Sequence, residues 1–503
     1  MKRLLTLAAG TLLLAACQDG PAGDALLHPE TRLRSVAAGV EVDPALGSAL
    51  LGAGEADPLE VIVTFDEALT TGDALAASIQ QLGAGVIGFQ HLPMVAALAT
   101  PEQVSAISAL AGVRGLWANT SERLLNRQVV GSVGADLAWE AGYTGRGVGI
   151  AILDTGIDAG HPDLAFGTKT VQNVKAVAHS KDLYTFPGRD SVTGLKTPKP
   201  AKKGYEVFVE NVENTDTDNG HGTHVAGTAA GSGEASGGKY GGVAPGAHLI
   251  GVSAAVGGVL PTINLLAGFD YIIENRKKYN IQVVNNSWGS TGRFNPNSAL
   301  TIATREVYEA GITVVFAGGN EGPGEDTMNP RSVAPWVISV AAGCKLAEDY
   351  GQPAGSAANP TNSRAHCEDG RDRLLADFSS RGIPGDAMYH PDILAPGVHT
   401  VSSRASTGLE ITAFAAQHDA RICSIEAAHV PYYTCIDGTS MASPAIAGVV
   451  ALMEEASGGK LTPDQALAVL TRTARAMPGY GEWEVGAGYV DALAAVKAAR
   501  SLR

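Results

Sequence analysis

The chain has 503 residues, too many for one ordinary domain, and 45% of them are hydrophobic, enough for a sizeable buried core. Its 36 Lys and Arg against 51 Asp and Glu give a net charge of −15. That balance excludes the basic footprint a nucleic-acid partner requires.

Taken in chain order, Lys2 and Arg3 precede an apolar run, Leu4 to Ala16, too short to span a bilayer as a helix. It ends Leu14-Ala15-Ala16-Cys17, which resembles a bacterial lipoprotein signal: 1–16 would be removed and Cys17 lipidated. An ordinary secretory signal with a stray cysteine is the alternative. Residues 17–57 are rich in Gly, Ala, Asp and Pro without period and read as a flexible tether. From 58 to 118, strand patterns at 59–65, 86–89, 94–98 and 113–118 and helical patterns at 74–82 and from Pro101 give the order β-α-β-β-α-β, a small ferredoxin-like α+β domain. Residues 119–128, with Arg123 and Arg127, read as an exposed linker. From 129 to 503, strands at 148–154, 248–252, 283–287, 313–317 and 337–341 alternate with helices at 220–230, 262–279, 297–310 and 441–455. That alternation predicts an α/β domain, a parallel sheet with helices on both faces. The stretches 167–212 and 407–436 read as insertions at the rim of a site, or as surface decoration. Beyond Cys17, four cysteines remain, and export favours their oxidation. Of three pairings the short loops favour Cys344–Cys367 and Cys423–Cys435; a zinc site lacks its C-x-x-C or paired-histidine spacing.

Three segments carry chemistry. IAILDTG, 150–156, is an apolar strand ending in Asp154; NGHGTHVAG, 219–227, opens a helix with His221; DGTSMASP, 437–444, presents Ser440 at the start of an apolar helix. A serine hydroxyl is a weak nucleophile and needs a base in reach, and the base needs an anchor for its tautomer. Singly, Asp154 reads as a turn residue, either histidine as a packed one, and GTSMASP as a helix cap. Together, in the order Asp, His, Ser, they resemble the subtilisin-like serine peptidases over roughly residues 59 to 495.

The resemblance implies an exported endopeptidase acting on polypeptides through Asp154, His221 and Ser440, with His224 structural. VVFAGGNEG, 314–322, resembles the family's oxyanion segment, with Asn320 as side-chain donor and the Ser440 N–H as the second. Asn286-Ser287-Trp288-Gly289 resembles the strand that pairs with substrate, Trp288 standing where a smaller residue is commoner. Ser287, Trp288, Gly289, Ala317, Gly318 and Gly319 would then wall a roomy, apolar pocket. The 58–118 domain resembles the inhibitory propeptide, and 119–128 becomes the self-processed maturation region. No cofactor is implied for the chemistry. Structural calcium is common in the family: Asp163, in HPDL, matches a position that often helps bind it, whereas the partner loop, 231–240, lacks the usual asparagines. Asp216 and Asp218 form another acidic loop. The expected partners are polypeptide substrates, the chain's own propeptide and, through Cys17, a membrane; the enzyme is expected as a monomer of the cell envelope, or secreted after maturation. Two rivals stand beside this reading. One is a catalytically silent surface binding protein, which would lack a triad member; the other is a processing enzyme dedicated to one partner.

Overall fold

A computed structural model describes residues 36–119, 121–124, 131–178, 200–201, 204–205, 207–344, 375–407, 423 and 425–503. The expected signal, Cys17 and Cys367 lie outside these residues. The N-terminal unit runs Glu41–Val42 (β1), Pro44–Gly52 (α1), Leu59–Phe65 (β2), Gly72–Gln81 (α2), Gly85–Gly88 (β3), Met94–Ala99 (β4), Pro101–Ser108 (α3) and Val113–Ala118 (β5). Its sheet has the order β1-β5-β2-β4-β3, so the split pattern is present with one added edge strand. Local chemistry sets its helix starts. Thr100 Oγ1 accepts the Gln103 N–H (3.4 Å), Gln103 Oε1 accepts the Thr100 N–H (2.8 Å), and Pro101 fills the first turn. Strand alternation divides the burial. Val61, Val63, Val95, Ala97 and Leu116 face the unit's own helices, whereas Ile62, Met94, Ala96 and Trp117 share a core with the larger domain.

The tether reading fails for residues 41–52. Asp43 caps α1 through the Leu46 N–H, Pro44 opens it, and Leu46 and Leu50 are buried in the unit's core. The Asp43 cap and the packing of Leu46 and Leu50 hold a helix too short to stand alone.

Downstream come Ser121–Leu124 (β6), Ala135–Glu140 (α4), Gly149–Asp154 (β7), Thr170–Ala176 (β8), Pro200–Ala201 (β9), Gly204–Tyr205 (β10), Phe208–Val209 (β11) and His221–Ala230 (α5). His248–Ser253 (β12), Leu260–Pro261 (β13), Thr262–Asn275 (α6), Ile281–Asn286 (β14), Trp288–Gly289 (β15), Ala299–Glu309 (α7), Thr313–Ala317 (β16) and Val337–Gly343 (β17) follow. Ile393–Pro396 (β18), Thr400–Ser403 (β19), Tyr433–Ile436 (β20), Thr439–Ser457 (α8), Pro463–Thr473 (α9), Glu482–Val485 (α10) and Ala492–Arg500 (α11) complete the domain. Its main sheet, β11-β8-β12-β7-β14-β16-β17-β18, is parallel except for β11. Every residue of α8 except Glu455 is buried, as a helix apolar on all sides must be. Part of the supposed insertion 167–212 is β8, a sheet strand hydrogen-bonded to β12. Its buried Gln172, Asn173 and Lys175 disguised it. Among the described residues no helix is long and apolar enough to cross a membrane.

Candidate active site

The carboxyl ends of parallel strands gather polar groups at one sheet edge. Asp154 ends β7, opposite Ser253 at the end of β12. His221 opens α5, and its Nδ1 lies 2.6 Å from Asp154 Oδ1, both side chains fully buried. Asp154 Oδ1 also accepts the Thr155 N–H at 2.7 Å. This pairing puts the imidazole proton on Nδ1 and leaves Nε2 as the basic nitrogen. Close approach requires glycine: a Cβ on Gly222 would lie 2.2 Å from the Gly156 carbonyl oxygen. The start of α5 is held by Asp216, whose carboxylate accepts the Gly220 and Thr223 N–H groups (both 2.9 Å) and the Thr223 hydroxyl (2.6 Å). Burial pushes the Asp216 carboxyl up, against these donors. Asp218, the other acid of that loop, accepts the Gly257 N–H.

Ser440 sits one residue into α8, after Gly438 at φ 148°, a conformation that favours glycine. Pro444 lacks the N–H that would bond the Ser440 carbonyl four residues back. That carbonyl instead accepts the Ser287 hydroxyl at 2.8 Å, while Ser440 Oγ donates to the Ser287 carbonyl at 2.8 Å. The serine hydroxyl is thus turned onto β14's exit rather than onto the imidazole; such contacts often tighten only with substrate. Asn320 follows β16. Its Oδ1 accepts the Thr439 N–H (3.0 Å) and hydroxyl (2.9 Å), which assigns the amide nitrogen to the other side. The Ser440 N–H is in the first turn, where no intrahelical acceptor exists.

Within the expected linker, 119–128, Ser121–Leu124 is a strand. β6 is the middle strand of an antiparallel sheet between β13 and β15, with Ser121 opposite Pro261, Glu122 opposite Leu260, Arg123 opposite Gly289 and Leu124 opposite Trp288. The indole of Trp288 is fully buried, packs on Phe316 with ring centroids 4.8 Å apart, and donates Nε1–H to the Leu153 carbonyl (2.9 Å). The indole therefore belongs to the core, and it is the backbone of 288–289 that pairs with β6. The two expected walls are joined by Asn329, whose Nδ2 donates to the Trp288 (3.1 Å) and Ala317 (2.9 Å) carbonyls. Gly289 leaves that carboxamide its space, since a Cβ there would lie 2.3 Å from Nδ2. Ala317 is buried, and a Cβ on Gly318 or Gly319 would meet the Val340 carbonyl or Ser380. Asn329 carries no sequence signal beyond a lone Asn-Pro turn pair.

Cys423 and Cys435 form a disulfide, and Cys344 is disulfide-bonded. His224 donates Nε2–H toward the Thr400 (3.1 Å) and Thr434 (3.2 Å) carbonyls, a structural role. Among the described residues no group of three His, Cys, Asp or Glu side chains is arranged to hold a metal.

A model of the subtilase family matches residues 145–490. Serine protease AprX of Bacillus subtilis (strain 168) is 31% identical over 409 residues, 76% of this chain and 76% of the relative. Minor extracellular protease Vpr of the same organism is 32% identical over 225 residues, 44% of this chain but 24% of that longer protein. The crystal structure of fervidolysin from Fervidobacterium pennivorans, described as a keratinolytic enzyme related to subtilisin, aligns with a TM-score of 0.57 at 20% identity over 88% of this chain and 61% of that one, a likeness of fold. The family match spans most of the chain and takes in the segments that carry Asp154, His221 and Ser440: the chain belongs to the subtilase family and is a subtilisin-like serine endopeptidase.

Proposed function

We propose that this chain is an exported endopeptidase that matures by cutting its own precursor, with Ser440 as nucleophile, His221 as base and Asp154 as the anchor of the imidazole. The buried 2.6 Å contact between His221 Nδ1 and Asp154, at the sheet edge shared with Ser440, carries the reading. His221 Nε2 takes the proton as Ser440 Oγ attacks the scissile carbonyl, then returns it to the leaving amine; water repeats the sequence to release the acyl group. The oxyanion is received by Asn320 Nδ2 and the Ser440 N–H. Substrate enters as a strand between β13 and β15, by main-chain pairing. In the precursor β6 occupies that position, which supports self-processing on the carboxyl side of Leu124, within the 119–128 region. The N-terminal unit then acts as the inhibitory propeptide. Lipidation at Cys17 and a Cys344–Cys367 bridge belong to the same proposal.

Expression of the full chain tests it. Ser440→Ala accumulates folded at precursor length, whereas the parent shortens and its new N terminus, read by sequencing, lies beyond Leu124. The parent is labelled at Ser440 by a phosphonyl fluoride. Maturation of purified Ser440→Ala without other proteases would refute self-processing, and retained peptidase activity would refute the triad.

A further inference from the structure

The residues that would supply the family's calcium site do not fit a calcium ion in this chain. Calcium takes about six to eight oxygen ligands with lone pairs turned toward it. Asp163 is fully buried, and both of its oxygens already receive protons: Oδ1 from the Ala235 N–H (2.9 Å) and Oδ2 from the Tyr433 hydroxyl (2.7 Å). In the partner loop, 231–240, the Gly233 carbonyl accepts the Gly238 N–H (2.8 Å) and the Ser236 hydroxyl (3.0 Å). The loop's one carboxylate, Glu234, is exposed. Lys169 stands close enough to Asp163 for their charges to interact, and its amine donates to the Pro245 (2.5 Å) and Ala247 (2.7 Å) carbonyls. A calcium ion there would meet the Ala235 N–H and the Tyr433 hydroxyl proton instead of lone pairs.

What occupies the place is protein. Tyr433 lies on β20, whose Cys435 is bridged to Cys423. Its ring packs on Tyr240, 4.9 Å between centroids, and meets His161 edge-on at 5.8 Å. His161 Nε2 lies 2.8 Å from the Tyr432 carbonyl, and Lys239 pairs with Glu426 at 2.6 Å. The bridged segment therefore grips both the turn that carries Asp163 and the loop opposite it, the two pieces a metal would join. It also reaches α5. The Thr434 carbonyl receives the imidazole of His224, one helical turn from His221, and Ser402 donates to the His224 carbonyl at 2.8 Å.

We propose that the disulfide-bridged β19–β20 segment, through Tyr433, does the cross-linking that a calcium ion would do, and that Asp163 is a hydrogen-bond acceptor for protein groups and not a metal ligand. The joint between the Asp163 turn and the 231–240 loop then depends on the Cys423–Cys435 bridge and not on calcium bound there.

The test is thermal unfolding of the full-length Ser440→Ala chain, in which self-digestion cannot distort the melt and whose outcome does not depend on peptidase activity. Melting temperatures are compared in chelator and in saturating calcium, with and without Asp163→Asn. No calcium effect, or one that Asp163→Asn retains, supports the proposal; a calcium-dependent rise that Asp163→Asn abolishes overturns it. Cys423→Ser/Cys435→Ser should melt on the order of 10 °C lower in either condition. A double variant that melts with its parent also overturns the proposal. Should Asp163→Asn fail to fold, Tyr433→Phe decides the matter, because it keeps the ring and the carboxylate. Its melting temperature should fall by roughly 3–10 °C and stay down in saturating calcium. Recovery to the parent's value on adding calcium counts against the clamp.

Discussion

Thr439 directs both its N–H and its hydroxyl at Asn320 Oδ1, which fixes the carboxamide in the orientation that the proposed oxyanion role requires. Asn320→Ala should lower kcat by about 10²–10³ while changing KM little, because the bond strengthens in the transition state. Steady-state kinetics on a chromogenic peptide check this, and an unchanged kcat would remove Asn320 from the chemistry. Glu454, buried in α8, tells a different story. Burial pushes its carboxyl up to about 7. The folded chain thus holds this proton more tightly than the unfolded one, so the contribution is full below about pH 4.5 and is lost as pH rises through about 7. Glu454→Gln imitates the protonated form, so its melting temperature should gain on the parent's between about pH 5 and pH 8. A gap that stays constant with pH would show that Glu454 does not titrate there. The proposed site residues Asp154, His221, Ser440 and Asn320 stand out in the sequence because each lies in a run whose neighbours also have jobs: Gly222 for approach, Gly438 for the turn, Pro444 to free a carbonyl. Asn329 was not legible, because it works through contacts with strands far away in sequence. The burial of the Trp288 indole was not legible either, because the sequence does not say on which side of the chain an indole falls.

At the level of elements, the N-terminal unit meets α6 through a loop. Asp270 accepts the Gln90 (3.1 Å) and His91 (2.6 Å) N–H groups, and His91 Nε2 lies 2.5 Å from Glu274. The Asp270 carboxyl is pushed up by burial, so it relies on those donors. Asp270→Asn keeps the shape and removes the charge; it should loosen the N-terminal unit and shorten the lag between precursor cleavage and full activity. Glu274→Gln should do less, since that side chain is half exposed and surface pairs contribute little. Progress curves of maturing enzyme measure both, and an unaltered lag in Asp270→Asn would remove this contact from the inhibition. Strands rich in β-branched and aromatic residues, such as β2 and β5, were legible to the residue, as was β16 with its apolar run Val314 to Ala317. The short β18 and the polar-looking β8 were not, because a strand buried among polar side chains has no period to read. α6 ends at Asn275 rather than 279, as Arg276 to Asn280 turns into β14.

The whole molecule adds the question of where it works. If Cys17 carries the anchor, Cys17→Ser should move the protein from the detergent phase to the aqueous one, and the mature N terminus should bear more than one acyl chain, since a single chain holds only marginally. Intact mass of the membrane fraction checks this; an unmodified N terminus there would end the idea. Fold class was legible from the β-α alternation alone, but the number and order of strands required the long-range pairings. The central helix α8 has a further consequence, one of timing. It comes from the last quarter of the chain, yet it packs against β14, β16, β17 and β18, all made earlier. Contacts so distant in sequence are slow to form, because the closure of a long loop precedes any gain. During synthesis the sheet must therefore wait for its core, while the N-terminal unit, complete long before, already offers α6 and α7 an apolar face. A chain halted before Thr439 leaves β14, β16, β17 and β18 without the helix that covers their inner face.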